Sequence, residues 1–254
     1  MQPEQLLTCA LDIGENMLIS GAEIGRVEDS IRLICSAYGC LRTDVFTITS
    51  SIVVSIEDEN RRFYTQTRRI TGTQTDLARL DRLNDLSRQI CAECPDYETV
   101  QARLEELLRQ RRYPLWLEVI CSAMIGGAFA VFFGGGLADA MVAAVLGAFL
   151  RLATFGLNLI HTNQILVNVI ATFFLSVLAI LAVRWGLGSD ANKIIIGNIM
   201  LLIPGIALTN SLRDMISGDI MSGLLRFFDA ILAAAAIAAG YILAAQLLGG
   251  GLWI

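Results

Sequence analysis

The second half of the chain consists of apolar runs long enough to cross a lipid bilayer. A membrane-spanning helix needs about 20 apolar residues, because the apolar core of a bilayer is about 30 Å thick and a helix rises about 1.5 Å per residue. From Leu115 onward the sequence meets this requirement repeatedly. We predict five spans, at residues 115–136, 138–160, 164–184, 191–209 and 222–248.

The charged residues divide the chain into two parts. Residues 1–112 hold 14 of the 19 Lys and Arg residues and 18 of the 24 Asp and Glu residues. We therefore predict a cytosolic domain over residues 1–112 and a transmembrane domain over residues 113–254. The first part has an acidic excess and no basic stripe, which argues against a nucleic-acid partner.

The pattern of residues 1–112 predicts a small α+β domain. Apolar residues recur at helical spacing over residues 4–20, 23–38, 75–93 and 96–112. Between them, residues 44–70 are rich in β-branched residues around an acidic turn, which predicts a β-hairpin. The predicted fold class is an α-helical integral membrane protein, with five transmembrane helices preceded by an ααββαα cytosolic domain.

The orientation follows from the N-terminus and from the basic residues that flank the spans. Glu4, Asp12 and Glu15 interrupt the first 20 residues, so no cleavable signal is predicted there and the N-terminus is expected in the cytosol. Basic residues then favour the cytosolic side by six to two, as the positive-inside rule requires. We predict a multi-pass protein of the bacterial cytoplasmic (inner) membrane. The six are Arg109, Arg111, Arg112, Arg151, Arg213 and Arg226, and the two are Arg184 and Lys193.

An ionisable residue inside a span is expected to have a functional or structural role, because placing a charge at the bilayer centre costs about 3 kcal/mol on insertion scales. Arg151 and Asn158 share a helical face with His161 close behind, and this face either meets a substrate or lets Arg151 snorkel to the interface. Glu118, beside Arg111 and Arg112, either relays protons or rests at the headgroups. Asp229 is a second candidate for proton coupling, or it neutralises Arg226 three residues before it.

Pro204-Gly205 interrupts the fourth span. Proline lacks an N–H and clashes with the preceding turn, so it frees backbone groups that must be buried or face a water-filled cavity. Carriers build substrate sites from such broken helices. We predict that the substrate site includes Pro204 and Gly205 together with Asn198, Thr209, Asn210 and Arg213, and that Asp214 and Asp219 serve proton coupling or gating. The alternative is a kink used for packing, followed by an ordinary turn.

The other motifs give weaker indications of a functional site. Cys91 and Cys94 have the spacing of zinc and redox sites, but no second pair and no nearby histidine complete four ligands. We predict no catalytic residue, no metal site and no cofactor. The small residues of the fifth span, including Gly240, suit close packing with another helix of this chain or of a partner.

Four segments resemble the threonine/serine exporter family, including its split form with a role in succinate export. They are GAEIGRVEDSIRLICSAYG (21–39), RLNDLSRQI (82–90), RRYPLWLE (111–118) and, most specifically, LLIPGIALTNSLRDMISGDIMSGLLR (201–226). The similarity covers nearly the whole chain. Single-chain members of that family continue into a second membrane block that this chain lacks.

The resemblance implies export of small carboxylate metabolites, driven by the proton gradient. The implied substrates are threonine and serine, or a C4 dicarboxylate such as succinate. It also implies a separately encoded small membrane subunit, within a homo- or hetero-oligomer surrounded by membrane lipid. Only the segment from Pro204 to Asp219 is carried over from the family. Two other classes stay open: a membrane-anchored sensor or enzyme that acts through the cytosolic domain, and a scaffold that assembles through the fifth span.

Overall fold

The computed structural model describes residues 1–109, 113–159 and 163–248, so the predictions that involve Arg111, Arg112 and His161 lie outside the described residues. The chain forms two units. The first comprises Met1–Arg111 and Ile206–Phe228, and the second comprises Arg112–Gly205 and Asp229–Ile254. That residues 1–112 act as a separate cytosolic domain stays a prediction.

The four predicted helices of the N-terminal part are present. Asp76 accepts a hydrogen bond from the Arg79 N–H (2.9 Å) and Asp96 accepts one from the Thr99 N–H (3.0 Å), so a side-chain cap starts each of the last two helices. The bounds are α1 Pro3–Ile19, α2 Ile24–Ala37, α3 Leu77–Glu93 and α4 Tyr97–Arg109.

The predicted hairpin is wrong, because the segment forms three strands. They are β1 Arg42–Ile48, β2 Ser51–Glu57 and β3 Phe63–Arg69, paired antiparallel in the order β1-β2-β3. Ile48 pairs with Ser51, so Thr49 and Ser50 make a two-residue turn inside the run that looked like one strand. The order is therefore ααβββαα. The turn at Thr49 and Ser50 contains no glycine and has β-branched residues on both sides, so it was not recognisable from the sequence.

One face of the sheet supplies the core of the first unit. Ile52, Val54 and Ile56 alternate along β2 and are fully buried, as a strand with one covered face requires. They belong to the same apolar cluster as Leu7 and Leu11 of α1. Burial of each such side chain stabilises the unit by roughly 1.5–3 kcal/mol.

The second unit is built from long apolar helices. They are α5 Leu115–Phe132, α6 Leu137–Leu159, α7 Gln164–Arg184 and the greater part of α10 Ile220–Leu247, and among the described residues these four helices are long and apolar enough to cross a membrane. The predicted span over residues 191–209 is not one helix: α8 covers only Ala191–Ile199, and α9 covers Gly205–Ile216. The count of five spans stays a prediction.

Candidate functional site

Residues 200–204 break the helical path between α8 and α9. The last turn of α8 tightens before the break, since the Leu201 N–H donates to the Asn198 carbonyl (3.0 Å) and the Leu202 N–H to the Ile199 carbonyl (2.8 Å). Pro204 has no N–H to donate, and its ring would clash with a carbonyl one turn earlier in a continuous helix. The break expected at Pro204-Gly205 is therefore present. A substrate-binding role for these two residues stays a prediction.

The polar side chains of α9 contact the turn between α1 and α2. The Asn210 Nδ2 donates to the Gly21 carbonyl (3.1 Å), and the Ile24 N–H donates to Asp214 Oδ1 (3.3 Å). Arg213 Nη1 lies 2.7 Å from Glu23 Oε1. Gly21 has a φ of +93°, a conformation that costs a glycine little and that ends α1 so that this turn can form.

A buried ion pair completes this contact, and we call Asp214 and Arg226 the α9–α10 clamp. Arg226 Nη1 lies 3.1 Å from Asp214 Oδ2, and Arg226 Nη2 donates to the Ala22 carbonyl (2.8 Å). The two side chains are only 12% and 2% exposed. Burial raises the pKa of the Asp214 carboxyl above its ordinary value, although the Arg226 guanidinium opposes this effect.

The clamp corrects the expected pairing of Arg226 with Asp229. Arg226 pairs with Asp214 of α9 instead, and the Asp229 side chain is exposed. Asp219 closes the turn between α9 and α10, where its N–H donates to the Asp214 carbonyl (2.9 Å). Thr209 is exposed on α9. The first unit thus uses Asn210, Arg213 and Asp214 for contacts within the protein, and their substrate or gating roles stay predictions.

Glu118 and Arg151 form an ion pair between α5 and α6. Arg151 Nε donates to Glu118 Oε2 (2.9 Å), and Arg151 Nη2 donates to the same oxygen. Both side chains are partly accessible, at 27% for Glu118 and 32% for Arg151. Because each residue lies in a helix apolar enough to span a membrane, the pair neutralises two charges that would be costly apart. Asn158, seven residues after Arg151, is exposed.

Asn198 is fully buried where α5, α6 and α8 meet. Its Nδ2 donates to the Ile194 carbonyl (3.0 Å), and its Oδ1 has no hydrogen-bond partner. A Cβ atom added at Gly126 or Gly147 would come within 2.5 or 2.9 Å of that oxygen. In this conformation Asn198 therefore packs against glycine backbone, and a solute could reach its Oδ1 only if the helices separated.

Asp139 is a buried carboxylate that the sequence analysis missed. Its side chain is 1% exposed, and it accepts hydrogen bonds from three backbone N–H groups, at Gly136 (3.0 Å), Ser189 (2.6 Å) and Asp190 (3.1 Å). It therefore joins the start of α6 to the loop between α7 and α8. The signal was an acidic residue in the first turn of an apolar helix, a position that favours carboxylates.

The described residues hold no group of three or more His, Cys, Asp or Glu side chains that could bind a metal ion. Cys94 of the C-x-x-C motif takes a left-handed conformation at the end of α3, and its thiol donates to the Ala37 carbonyl (3.4 Å). Its described contacts are thus with backbone carbonyls, at the last residue of α2 and at Cys91 within α3. The groups best placed for binding chemistry are the paired charges Glu118 and Arg151.

Comparison with known proteins finds exporters and a transporter subunit. Residues 8–248 match the family model of threonine/serine exporters (ThrE). A "Threonine/serine exporter" of Corynebacterium glutamicum is 30% identical over 95% of this chain and 51% of its own length. A "Probable threonine/serine exporter" of Mycobacterium tuberculosis is 24% identical over 96% of this chain and 46% of its own length.

A shorter relative matches almost from end to end. The "Probable succinate transporter subunit YjjP" of Klebsiella aerogenes is 25% identical over 96% of this chain and 92% of its own length. The chain thus spans about half the length of the two exporters and nearly all of the subunit. No solved structure matches the chain. The names of all three relatives describe transport and none describes an enzyme.

Proposed function

Because the chain belongs to the threonine/serine exporter family, we propose that it is a membrane subunit that exports small carboxylate metabolites. The family assignment and the four long apolar helices make it a multi-pass membrane protein. The observation that carries the substrate class is the Glu118–Arg151 pair, a partly accessible guanidinium held against a carboxylate between two of those helices.

Arg151 is the proposed binding group for the substrate carboxylate. A guanidinium presents a planar fork of N–H donors that matches a carboxylate, and it stays charged at any physiological pH. The Glu118 carboxylate occupies the fork in this conformation, so a substrate carboxylate would bind by replacing it. Arg213, the other candidate, pairs with Glu23 on the first unit, and its side chain is 64% exposed. This arrangement favours Arg151.

Glu118 is the proposed site of proton coupling. A protonated carboxyl group no longer holds a guanidinium by charge, so proton uptake at Glu118 would free Arg151 for the substrate. Loss of that proton would restore the pair and expel the substrate carboxylate. The proton and the substrate are therefore bound together in this scheme, so an outward substrate gradient drives export and an inward proton gradient slows it rather than driving it. Among the other candidates, Asp214 is committed to the clamp, and Asp219 lies in the α9–α10 turn of the first unit rather than in a long apolar helix. Asp229 is exposed and, unlike Glu118, forms no ion pair with any cation in the described part of the chain.

A second small membrane subunit is the proposed partner. Two relatives are about twice as long as this chain, whereas the relative that it matches over 92% of its length is named a subunit. We propose a hetero-oligomer in the bacterial cytoplasmic membrane, with the N-terminus in the cytosol. The proposed substrates are threonine and serine, or a C4 dicarboxylate such as succinate.

The test is efflux of labelled threonine, serine and succinate from loaded cells. Cells express this chain with and without a candidate for the proposed small membrane subunit. We expect export of at least one solute in the presence of both chains. We expect Arg151→Gln to lower it by roughly tenfold or more, because a charged hydrogen bond contributes about 1.5–3 kcal/mol.

Arg184→Gln is the matched control, since Arg184 is also an arginine of a long apolar helix but donates to the Leu248 carbonyl. Its efflux should stay close to that of the wild type. Unchanged efflux of all three solutes on expression would overturn the substrate class. Full efflux by Arg151→Gln at wild-type protein levels would remove Arg151 from the site.

A further inference from the structure

Four polar residues form a line along one face of α7, and we call Gln164, Asn168, Thr172 and Ser176 the α7 polar stripe. They are spaced four residues apart, so their side chains lie one above another on the helix. Gln164 is exposed, Asn168 is 3% exposed, and Thr172 and Ser176 are fully buried. The stripe therefore starts at the protein surface and continues into the interior of the second unit.

The hydrogen bonding of the stripe is incomplete at its buried end. The Gln164 Nε2 donates to Asn168 Oδ1 (3.2 Å), which links the first two residues. The hydroxyl oxygens of Thr172 and Ser176 are buried and have no hydrogen-bond partner. Thr154 of α6 shows the usual alternative, since its hydroxyl donates to the Leu150 carbonyl one turn earlier (2.9 Å). Thr172 and Ser176 are not satisfied in this way, although a carbonyl lies one turn before each.

The length of the stripe reaches the middle of the helix. Gln164 and Ser176 are 12 residues apart, which corresponds to about 18 Å along a helix that is about 31 Å long. The rest of the buried face of α7, beyond Ser176, is apolar and includes Ala179 and Ala182. The polar part thus covers one end and the centre, and the apolar part covers the other end.

Close packing beside the stripe explains how it can be shut. A Cβ atom added at Gly240 of α10 would lie 3.0 Å from Thr172 Cβ and 2.5 Å from the Val169 carbonyl oxygen. α10 therefore lies directly against α7 at the level of Thr172. Buried hydroxyls that have no partner in a close-packed arrangement gain hydrogen bonds when water reaches them.

We propose that the α7 polar stripe lines a hydrated half-channel, which leads from the Gln164 end of α7 to the middle of the second unit. Its ligand is water, because neutral amide and hydroxyl groups complete their hydrogen bonds with water and leave charge recognition to Arg151. The inference rests on the proposed function, since the half-channel is the route by which a hydrated solute enters or leaves the bundle. Helix packing at Gly240 closes it in the conformation described.

The first experiment measures whether water reaches the stripe. Single cysteines replace Thr172 and Ser176 in the full chain, embedded in membrane vesicles, and a membrane-impermeant methanethiosulfonate reports accessibility because it reacts with thiolates in water. Mass spectrometry of the labelled peptide separates the new cysteine from the six native ones. Leu175→Cys is the control for a buried position off the stripe. Phe174→Cys, exposed near the middle of α7, is the control for a lipid-facing position and should also react slowly.

We expect Thr172→Cys and Ser176→Cys to react at least tenfold faster than Leu175→Cys, with Ser176→Cys the slower of the two. We expect this labelling when the reagent is added on one side of the membrane and not when it is added on the other. Rates no faster than that of Leu175→Cys, from either side, would overturn the half-channel. Serine and cysteine have nearly the same shape, so Ser176→Cys is expected to fold.

The second experiment removes the hydroxyls while keeping the shape, in the double variant Thr172→Val and Ser176→Ala. We expect efflux to fall several-fold at wild-type protein levels, whereas Thr154→Val on α6 leaves it unchanged. Unchanged efflux together with a higher midpoint of thermal unfolding would mean dry packing and would overturn the half-channel.

The two proposals fail separately. If Arg151→Gln abolishes efflux while the stripe cysteines stay unreactive, the half-channel falls and the proposed function stands. If the stripe cysteines react rapidly but the wild-type pair of subunits exports none of the three solutes, the proposed function falls and the hydrated path stands.

Discussion

At the residue scale, the α9–α10 clamp is a buried ion pair within the first unit. Asp214 is 2% exposed, so its carboxylate has lost nearly all of its hydration and depends on Arg226 and the Ile24 N–H. Arg213 of the same helix pairs with Glu23, and these two side chains are 64% and 23% exposed. A buried and a partly exposed ion pair on one helix therefore allow a direct comparison of their contributions to stability.

We predict that Asp214→Asn lowers the free energy of unfolding by about 3 kcal/mol, because it leaves the buried Arg226 guanidinium without its ion-pair partner. Arg213→Gln should cost about 1 kcal/mol or less, because its side chain is 64% exposed and the solvent screens the pair. Thermal unfolding of the purified full chain in detergent measures both. Equal losses for the two variants would contradict the structural role of the clamp.

The sequence could identify these residues but not their partners. The polar run after Pro204 stood out because it follows an apolar segment, and a carrier site was the available explanation for it. Asp214 meets Ile24 across 190 residues of sequence, and a single sequence carries no signal for such a contact. The Glu118–Arg151 pair was missed for the same reason, since 33 residues separate its members and Arg111 and Arg112 are closer to Glu118 along the chain.

At the element scale, helix contacts in the second unit depend on glycines. A Cβ atom at Gly197 of α8 would lie 2.7 Å from the Ala130 backbone nitrogen and 2.9 Å from the Gly126 carbonyl oxygen. A Cβ atom at Gly147 of α6 would lie 2.5 Å from the Ser122 carbonyl oxygen. These backbone atoms cannot move without shifting a whole helix, so α5, α6 and α8 approach closely only because the glycines have no side chain.

We predict that Gly197→Ala destabilises the protein by about 1–3 kcal/mol, the usual cost of an atom added to a well-packed contact. Gly156→Ala on α6 is the matched control, because nothing lies within 4 Å of an added Cβ there. That change should be neutral or stabilise the helix by about 0.5–1 kcal/mol, since alanine loses less backbone entropy than glycine. The midpoint of thermal unfolding separates the two, and a Gly197→Ala protein as stable as the wild type would refute this packing.

The elements themselves were largely predictable from periodicity. The four helices of the N-terminal part and the break before Gly205 follow from apolar spacing and from the chemistry of proline. The third strand was not predictable, because Thr49 and Ser50 include no glycine, asparagine or aspartate of the kind that marks a two-residue turn. The α7 polar stripe was also readable as Asn168, Thr172 and Ser176 at intervals of four, but a hydropathy average conceals three polar residues inside an apolar helix.

At the scale of the whole molecule, the family and the coverage of its relatives constrain the function. The chain matches one relative named a subunit over 92% of that relative's length, and two exporters over about half of theirs. The proposal of a second subunit rests on this difference in coverage, which the composition of the chain does not reveal. Within the chain, the proposed export depends on competition between the substrate carboxylate and Glu118 for Arg151. That competition is the central claim, and it makes export sensitive to the proton gradient through one carboxyl group.

The most direct test is efflux from proteoliposomes that contain this chain and the proposed second subunit, measured with and without a pH gradient. We predict that the gradient changes wild-type efflux several-fold and that Glu118→Gln still exports but responds little to the gradient, because glutamine carries no titratable proton. Asp219→Asn is the control and should keep the wild-type response, since the Asp219 backbone, rather than its side chain, closes the α9–α10 turn. A Glu118→Gln protein with the full wild-type response to the gradient would contradict the account.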